Sequence, residues 1–167
     1  MSKLMTLAEE LQGLLYRSFR LLDEERFEEW LADFTDDATY YVNSRANMAF
    51  AQAHGGTDDD VVALVSGRQQ NGLPLRVQWI REIWYASQLR AHTLHLITNV
   101  EVESLSDNEA LVRSAFVIYV TRGSEQMVFP GRYEDRFRRV EGNRWKICRR
   151  KAVLENDIVR GPLIFIV

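Results

Sequence analysis

The sequence predicts an α+β protein whose helices pack on one face of a curved, mostly antiparallel sheet. Apolar residues recur at helical spacing in the first third of the chain, and from residue 92 onward their period becomes two. The 167 residues, of which 46% are hydrophobic and 27% charged, have the size and composition of one globular domain over 1–167. Helices followed by a long meander of strands are typical of this fold class.

The first helix is expected over residues 7–22, where leucines recur on one face. Thr6 is the predicted N-cap, and Glu9 is its capping-box partner. A second helix is expected over residues 26–34, in which four apolar side chains share a face: Phe27, Trp30, Leu31 and Phe34. A short strand is then expected over residues 38–43, which are rich in aromatic and β-branched side chains.

The weakest pattern lies in residues 44–72, within which residues 54–60 are interpreted as a loop. The aspartates at 58–60 are interpreted as solvated surface, or as the start of a helix at Val61, rather than as a metal site. An EF-hand loop would need acidic residues at alternate positions and a distal glutamate. A further short helix is expected over residues 77–85.

Strands are expected over residues 92–105, 111–121, 126–140, 144–154 and 158–167. In the first of them, five side chains are placed on one face: Leu94, Leu96, Thr98, Val100 and Val102. Gly142 and Asn143 are typical of a two-residue hairpin loop. That loop sets three cross-strand pairs: Glu134 with Lys151, Asp135 with Arg150, and Arg136 with Arg149. The first two are favourable by about 0.2–1 kcal/mol each, and the third is unfavourable unless an acid or a partner lies near it.

The strand over residues 111–121 carries apolar side chains on both faces. Helices cover only one face of such a sheet, and the other face of an antiparallel sheet is usually polar. We therefore expect another subunit to cover the second face. The alternative is a second layer built by residues 44–72, but loops of that composition rarely form a layer.

Composition excludes several classes of protein. The 21 Lys and Arg against 24 Asp and Glu give a net charge of −3, which argues against a dedicated nucleic-acid binder. The longest apolar run, residues 115–120, is too short to cross a membrane, and the first residues lack a signal peptide, so a cytoplasmic protein is expected. One cysteine and three histidines cannot build an iron–sulfur cluster or a Cys-ligated zinc site, so any redox chemistry needs another chain or a diffusible cofactor.

The three histidines are the first candidates for chemistry. His92 and His95 lie three residues apart on a predicted strand, so their side chains should point to opposite faces and should not share a metal ion. We expect one of them to be buried and the other exposed. His54 lies in the predicted loop without an obvious partner, and Cys148 is expected to pack as a small hydrophobe.

Carboxylates and tyrosines of the first third form a second candidate set: Asp33, Asp36, Asp37, Tyr16, Tyr40 and Tyr41. A cone-shaped α+β domain can hold an apolar cavity in which such groups transfer protons next to a carbonyl. The alternative is structural, because aspartates cap turns and buried tyrosine hydroxyls find polar partners.

Basic residues are dense over residues 131–151, where Glu134, Asp135 and Glu141 interrupt them: Arg132, Arg136, Arg138, Arg139, Arg144, Lys146, Arg149, Arg150 and Lys151. Nucleic-acid binding is one interpretation. The intervening acids favour the other, a pair of amphipathic strands whose ion pairs lie at an edge or at a subunit interface.

Three stretches of the sequence resemble a known family. They are FEEWL to DDATYYV in residues 27–42, RAHTLH to TNVEV in residues 90–102, and GRYEDRF to WKICRRK and LEND in residues 131–157. In this order they resemble the small (β) subunit of Rieske-type aromatic ring-hydroxylating dioxygenases, which are NTF2-like, cystatin-like α+β proteins. The third stretch is the most specific.

The resemblance implies a non-catalytic structural subunit with no catalytic, cofactor-binding or metal-binding residue of its own. It implies a large (α) subunit that holds the Rieske 2Fe-2S cluster and the mononuclear non-haem iron, commonly as α3β3, with a trimer of the small subunit. A reductase or ferredoxin would deliver electrons to the large subunit, and an aromatic compound would be the substrate. Two alternatives remain: a stand-alone NTF2-like isomerase or dehydratase that uses Tyr16, Asp37 or His92, and an interaction module unrelated to oxygenation.

Overall fold

The computed structural model describes the backbone of residues 3–56, 65–68, 72–86, 90–159, 163 and 165–167. The elements in chain order are α1 (Lys3–Asp23), α2 (Phe27–Leu31), β1 (Phe34–Ser44), α3 (Arg45–Ala53), β2 (Val65–Arg68), α4 (Leu73–Ala86), β3 (His92–Leu105), β4 (Glu109–Arg122), β5 (Glu125–Val140) and β6 (Arg144–Leu154). These strands form one sheet in the order β2-β1-β6-β5-β4-β3, in which β1 and β6 are parallel and the other neighbours antiparallel. The predicted α+β arrangement with a mostly antiparallel sheet is confirmed.

The core lies between the helices and one face of the sheet, which we call the inner face. The helix α1 packs on β3, while α2 contacts both α1 and α4. Apolar side chains from helices and strands meet there at nearly complete burial: Leu11, Leu15, Phe19, Trp30, Val77, Ile80, Phe116, Tyr133, Phe137 and Ile147. The opposite face of the sheet, the outer face, is partly open to solvent.

The boundaries of the first elements differ from the prediction. Because α1 already begins at Lys3, Thr6 lies inside the helix and is not its N-cap. The residues before Thr6 include Lys, Leu and Met, which are good helix formers and let the helix extend upstream. The second helix ends at Leu31, and Phe34 opens β1, although it is buried as expected. Asp36 and Asp37 lie within β1 at exposed positions.

The segment that follows β1 contains a helix that the sequence analysis missed. The hydroxyl of Ser44 accepts a hydrogen bond from the backbone N–H of Asn47 at 3.2 Å, so Ser44 is the N-cap of α3. The helix ends before Gly55, whose φ of 72° is one that glycine adopts without strain. The aspartates at 58–60 and the expected helix start at Val61 lie outside the described residues.

The β5–β6 hairpin reaches the predicted register in an unexpected way. The turn has three residues rather than two, Glu141–Asn143, because Val140 pairs directly with Arg144. A β-bulge at Cys148 then adds one residue to β6. The two departures cancel, and the three predicted pairs are confirmed: Glu134 with Lys151, Asp135 with Arg150, and Arg136 with Arg149.

The prediction that five alternate residues of β3 share one face is wrong. The pairing of β3 with β4 shifts between Thr98 and Glu101, and Asn99 has a φ of 51°. Leu94, Leu96 and Thr98 are therefore exposed on the outer face, whereas Val100 and Val102 pack against the core. No described helix combines the length and the apolar character needed to span a membrane.

Candidate functional site

A buried ion pair lies at the centre of the inner face. Asp135 on β5 accepts hydrogen bonds from Arg150 on β6, with Nε 2.7 Å from Oδ1 and Nη2 3.0 Å from Oδ2, and both side chains are fully buried. The guanidinium carbon lies 4.6 Å from the ring centre of Phe19 and 5.0 Å from that of Tyr133. Burial by itself lowers the pKa of Arg150, but the Asp135 carboxylate outweighs this effect and raises it. The sequence predicted that Asp135 and Arg150 pair, but it did not predict that both side chains are fully buried.

A second acid–base pair forms where the end of α1 meets the start of β3. His95 Nδ1 lies 2.5 Å from Asp23 Oδ1, and the His95 backbone N–H donates to Asp23 Oδ2 at 2.9 Å. The Thr93 hydroxyl donates to Asp23 Oδ1 at 3.1 Å, so the carboxylate is held from three sides. The His95 ring is buried and stacks on Phe19 with the ring centres 5.6 Å apart. An Asp–His pair of this kind is a common proton-transfer unit.

The end of the sequence closes this interior. The described residues 163 and 165–167, which we call the tail, show no strand, so the strand expected over residues 158–167 is wrong at these positions. All four side chains of the tail are buried in the core: Leu163, Phe165, Ile166 and Val167. Their apolar surface is removed from water by packing among rings rather than by pairing with a sheet edge. Phe165, for example, packs on Phe129 at a ring-centre distance of 5.0 Å.

Side chains of three elements hold the carbonyl oxygens of the tail. Arg76 on α4 donates to the oxygens of Leu163 and Phe165, the latter at 3.3 Å. His95 Nε2 lies 3.2 Å from the Ile166 oxygen, and the Tyr40 hydroxyl donates to the Val167 oxygen. Burial raises the pKa of Tyr40 to about 12, which keeps its hydroxyl protonated as a donor. Both ring nitrogens of His95 thus face oxygen atoms, which leaves no open position beside the imidazole.

An open cleft of about 620 Å³ lies elsewhere, on the side of the sheet that carries Thr39 and Arg136. Asp37 lines it and accepts hydrogen bonds from Arg138 at 2.8 and 3.1 Å. The hydrogen bonds from Arg138 and from the Thr35 hydroxyl lower the pKa of Asp37, which makes it a weak general base. Cys148 also lines the cleft, but burial raises the pKa of its thiol, so it is a poor nucleophile at neutral pH.

The structure separates the predicted histidines as expected. His92 is exposed and His95 is buried, as opposite faces of a strand require. His54 caps its own helix, because Nδ1 lies 2.8 Å from the Phe50 oxygen and the ring packs on that of Phe50. Within the described residues, no group of three or more His, Cys, Asp and Glu side chains is positioned to hold a metal ion.

The predicted set of carboxylates and tyrosines does not line one cavity. Tyr40 reaches the interior, but Tyr16 is exposed and accepts a hydrogen bond from Gln12. Asp33 lies 2.5 Å from Arg17 Nη1, Asp36 and Asp37 are exposed in β1, and Tyr41 lies below the Arg149 guanidinium. The interior groups that the sequence analysis missed are Asp23, Arg76 and Tyr133. The contacts of Asp23 and Arg76 span more than 70 residues of chain, and no local pattern reports them.

The outer face carries an exposed apolar patch. Leu94 on β3, Tyr119 on β4 and Val128 on β5 are consecutive partners across three strands, and 43–53% of each remains exposed. Leu96, at 48% exposure, extends this apolar row. Farther along the same face of β4, Arg113 forms ion pairs with Glu103 at 2.9 Å and with Glu134 at 3.5 Å. Neighbouring exposed apolar side chains on adjacent strands are typical of protein-interaction surfaces.

The curved sheet and the helices on its inner face form an α+β protein with an NTF2-like fold. The family model for the ring hydroxylating beta subunit matches residues 17–161, and the chain therefore belongs to this family. It is a β subunit of an aromatic ring-hydroxylating dioxygenase and hence part of an oxidoreductase complex.

Individual relatives agree with this assignment. The small oxygenase component of the p-cumate 2,3-dioxygenase system of Pseudomonas putida is 27% identical over 151 residues, which cover 90% of this chain and 81% of the relative. The β subunit of benzoate 1,2-dioxygenase from Burkholderia mallei has a TM-score of 0.74 at 26% identity, and the match covers 95% and 96% of the two chains. A naphthalene 1,2-dioxygenase structure with bound indole reaches a TM-score of 0.78 at 24% identity, with 98% and 86% covered, which supports the fold.

Proposed function

We propose that this chain is a non-catalytic subunit whose function is to assemble with a large (α) oxygenase subunit. The observation that carries the assembly is the exposed row of Leu94, Tyr119 and Val128, which further copies of this chain would cover in the complex. The chemistry of the described residues agrees with it. The Asp23–His95 pair is closed by the tail, and neither Asp37 nor Cys148 is activated in the outer cleft.

The large subunit would hold the Rieske 2Fe-2S cluster and the mononuclear non-haem iron, and a reductase or ferredoxin would pass electrons to it. The complex would add O2 to an aromatic compound in a catabolic pathway of the cytoplasm. We propose an α3β3 hexamer in which three copies of this chain, each one domain over residues 1–167, associate through the outer face. The relatives named for p-cumate and benzoate support an aromatic substrate. The net charge of −3 supports a protein partner rather than a nucleic acid.

The test is co-expression with a large (α) subunit of an aromatic ring-hydroxylating dioxygenase. Co-purification at a 1:1 ratio and a mass that fits three of each are expected from affinity capture followed by light scattering. Iron per complex should be unchanged by His92→Ala, because His92 is exposed and lies on the opposite face from His95. His95→Ala should lower stability through loss of the contact with Asp23, but it should not remove iron.

Two results would contradict the proposal. One is a wild-type chain that remains a monomer both alone and with the large subunit. The other is a correctly assembled His92→Ala complex that lacks one iron equivalent or loses single-turnover product, which would require a metal-binding or catalytic residue in this chain.

A further inference from the structure

Side chains from other parts of the domain hold the tail through its backbone oxygens. Its carbonyl oxygens are contacted by side chains from three separate elements, Arg76 on α4, His95 on β3 and Tyr40 on β1. Its apolar side chains fill the interior between the helices and the inner face. Residues that belong to a continuous sheet would instead satisfy their carbonyls from neighbouring backbone N–H groups. The interior thus holds the apolar side chains of the tail together with its oxygen acceptors.

The same interior contains hydrogen-bonding groups that the tail leaves unused. The Tyr133 hydroxyl and Arg150 Nη1 belong to fully buried side chains, and neither has a hydrogen-bond partner among the described residues. Phe19 connects these groups with the tail site, because its ring stacks on His95 at 5.6 Å and on Tyr133 at 4.9 Å. Buried polar groups without partners are rare and often mark the place of an absent ligand or water.

Phe165 shows which chemistry fits the site. It brings an aromatic ring and, a few bonds away, a carbonyl oxygen that Arg76 contacts at 3.3 Å. The ring packs on Phe129, and the same core cluster contains the stacked rings of Phe19 and Tyr133. An aryl ketone carries the same two groups in one small molecule. Aromatic walls with a few oriented polar groups are the usual composition of a small-molecule site.

We propose that the tail occupies a ligand-binding site inside this subunit, and that displacement of the tail opens the site to small aromatic carbonyl compounds. The proposal goes beyond the assembly function and does not depend on it, because every group invoked lies in the interior of a single chain. It assigns to Arg76, His95, Tyr40 and Tyr133 a capacity to bind that the tail masks in this structure.

The first test releases the tail in the full-length chain. Ile166→Asp puts a carboxylate where a side chain that is 4% exposed is buried, and Ile158→Asp makes the same change where 78% is exposed. Titration with acetophenone and with ethylbenzene, followed by calorimetry, compares two ligands that differ in the carbonyl group. Ile166→Asp should bind acetophenone at least tenfold more tightly than wild type or Ile158→Asp does, and more tightly than it binds ethylbenzene.

Two further measurements locate the binding. A synthetic Leu-Ile-Phe-Ile-Val peptide should displace acetophenone from Ile166→Asp. Adding Tyr40→Phe to that variant should weaken acetophenone binding and leave ethylbenzene unchanged, since the hydroxyl contributes a hydrogen bond and not apolar contact. A folded Ile166→Asp protein that binds neither acetophenone nor the peptide overturns the proposal, as does acetophenone binding that Tyr40→Phe does not alter.

Hydrogen exchange on the wild-type chain gives an answer even if Ile166→Asp fails to fold. A displaceable tail must open without global unfolding, so the amides of residues 165–167 should exchange at least tenfold faster than those of β4 and β5. Excess acetophenone should accelerate this exchange, whereas ethylbenzene should not. Tail amides as protected as the central strands, with no response to acetophenone, would show that the tail is a permanent part of the core.

Discussion

Adjacent residues on β5 show how differently the two faces of this sheet use charge. Asp135 points to the inner face and is paired with Arg150 at complete burial, whereas Glu134 points outward and pairs with Arg113, more than half of which is exposed. Both are carboxylate–guanidinium pairs across neighbouring strands. In water such a pair contributes about 0–1 kcal/mol, but removal of one partner from a buried pair costs about 3–5 kcal/mol. The inner face therefore governs folding, whereas the exposed row of the outer face is available for the proposed assembly.

The largest effect is expected from breaking the inner pair. Asp135→Ala leaves the Arg150 charge buried without its carboxylate, so the free energy of unfolding should fall by about 3–5 kcal/mol. Glu134→Ala is the matched control on the same strand and should cost about 0–1 kcal/mol. Urea unfolding followed by circular dichroism measures both variants.

A second test replaces both members of the pair, so that no charged side chain remains buried. Replacing both partners, as Asp135→Leu with Arg150→Met, should recover much of the loss, because apolar side chains of similar size often replace buried ion pairs. Equal losses for Asp135→Ala and Glu134→Ala would contradict the difference between the two faces.

The next effect concerns packing on the inner face. A Cβ on Gly131 would lie 2.7 Å from Cε1 of Phe116 and 2.6 Å from the Val153 backbone oxygen, so Gly131→Ala should lower the free energy of unfolding by about 1–3 kcal/mol. A Cβ on Gly13 in α1 would meet no atom within 4 Å, and Gly13→Ala should raise stability by about 0.5–1 kcal/mol. Thermal unfolding should therefore show midpoint shifts of opposite sign, and a stabilising Gly131→Ala would show that the surrounding groups can move away.

A substitution on the outer face should weaken self-association while leaving the stability of the fold nearly unchanged. Tyr119→Ser removes the centre of the exposed apolar row, so it should change the free energy of unfolding by no more than about 0.5 kcal/mol. Self-association should nevertheless weaken at least about tenfold, measured by sedimentation at several concentrations. Ile158→Ser, an exposed apolar residue away from the row, is the control and should leave association unchanged. If Tyr119→Ser lowered stability strongly but left self-association unchanged, the row would belong to the fold and not to the proposed assembly surface.

The smallest effect is expected from an exposed pair that titrates. Arg138 and Thr35 lower the folded-state pKa of Asp37 below its unfolded value of about 3.9. Its contribution to stability is therefore present above that value and is lost as the pH falls through the lower folded-state pKa. Asp37→Asn should flatten the loss of stability below about pH 4, with Asp36→Asn as the neighbouring control. Identical acid unfolding curves for wild type and Asp37→Asn would contradict this assignment.

Local structure could be predicted from the sequence where a hydrophobic period or a turn residue indicates it. The long strands followed from alternation. The Asp135–Arg150 pairing was predicted from a two-residue turn at Gly142 and Asn143, and it holds because the third turn residue and the bulge at Cys148 cancel. The α3 helix was missed because its cap, Ser44, stands at the end of an aromatic strand without a capping-box partner. The tail was taken for a strand because an apolar run does not say whether its backbone pairs or its side chains pack.

The long-range contacts of the interior, between Tyr40 and the tail and between Asp23 and His95, could not be predicted from the sequence. Tyr40 was among the candidates, but its hydroxyl donates to Val167, which lies 127 positions along the chain. Asp23 and His95 meet across 72 positions because β3 packs on α1. Contacts of this kind depend on strand order, and neither composition nor periodicity places the edge strand β3 beside the end of a particular helix.

The bulge at Cys148 shows that the position of a residue can matter more than its side-chain chemistry. Before the bulge, the odd-numbered Trp145 and Ile147 face inward, and after it the even-numbered Arg150 and Ala152 do. The extra residue at Cys148 thus changes which side chains of β6 face the core, from odd-numbered residues before it to even-numbered residues after it. Its side-chain chemistry is secondary to that purpose: a serine there would preserve the bulge, and deletion of Cys148 would leave a regular strand in which Arg150 still faces inward and still pairs with Asp135.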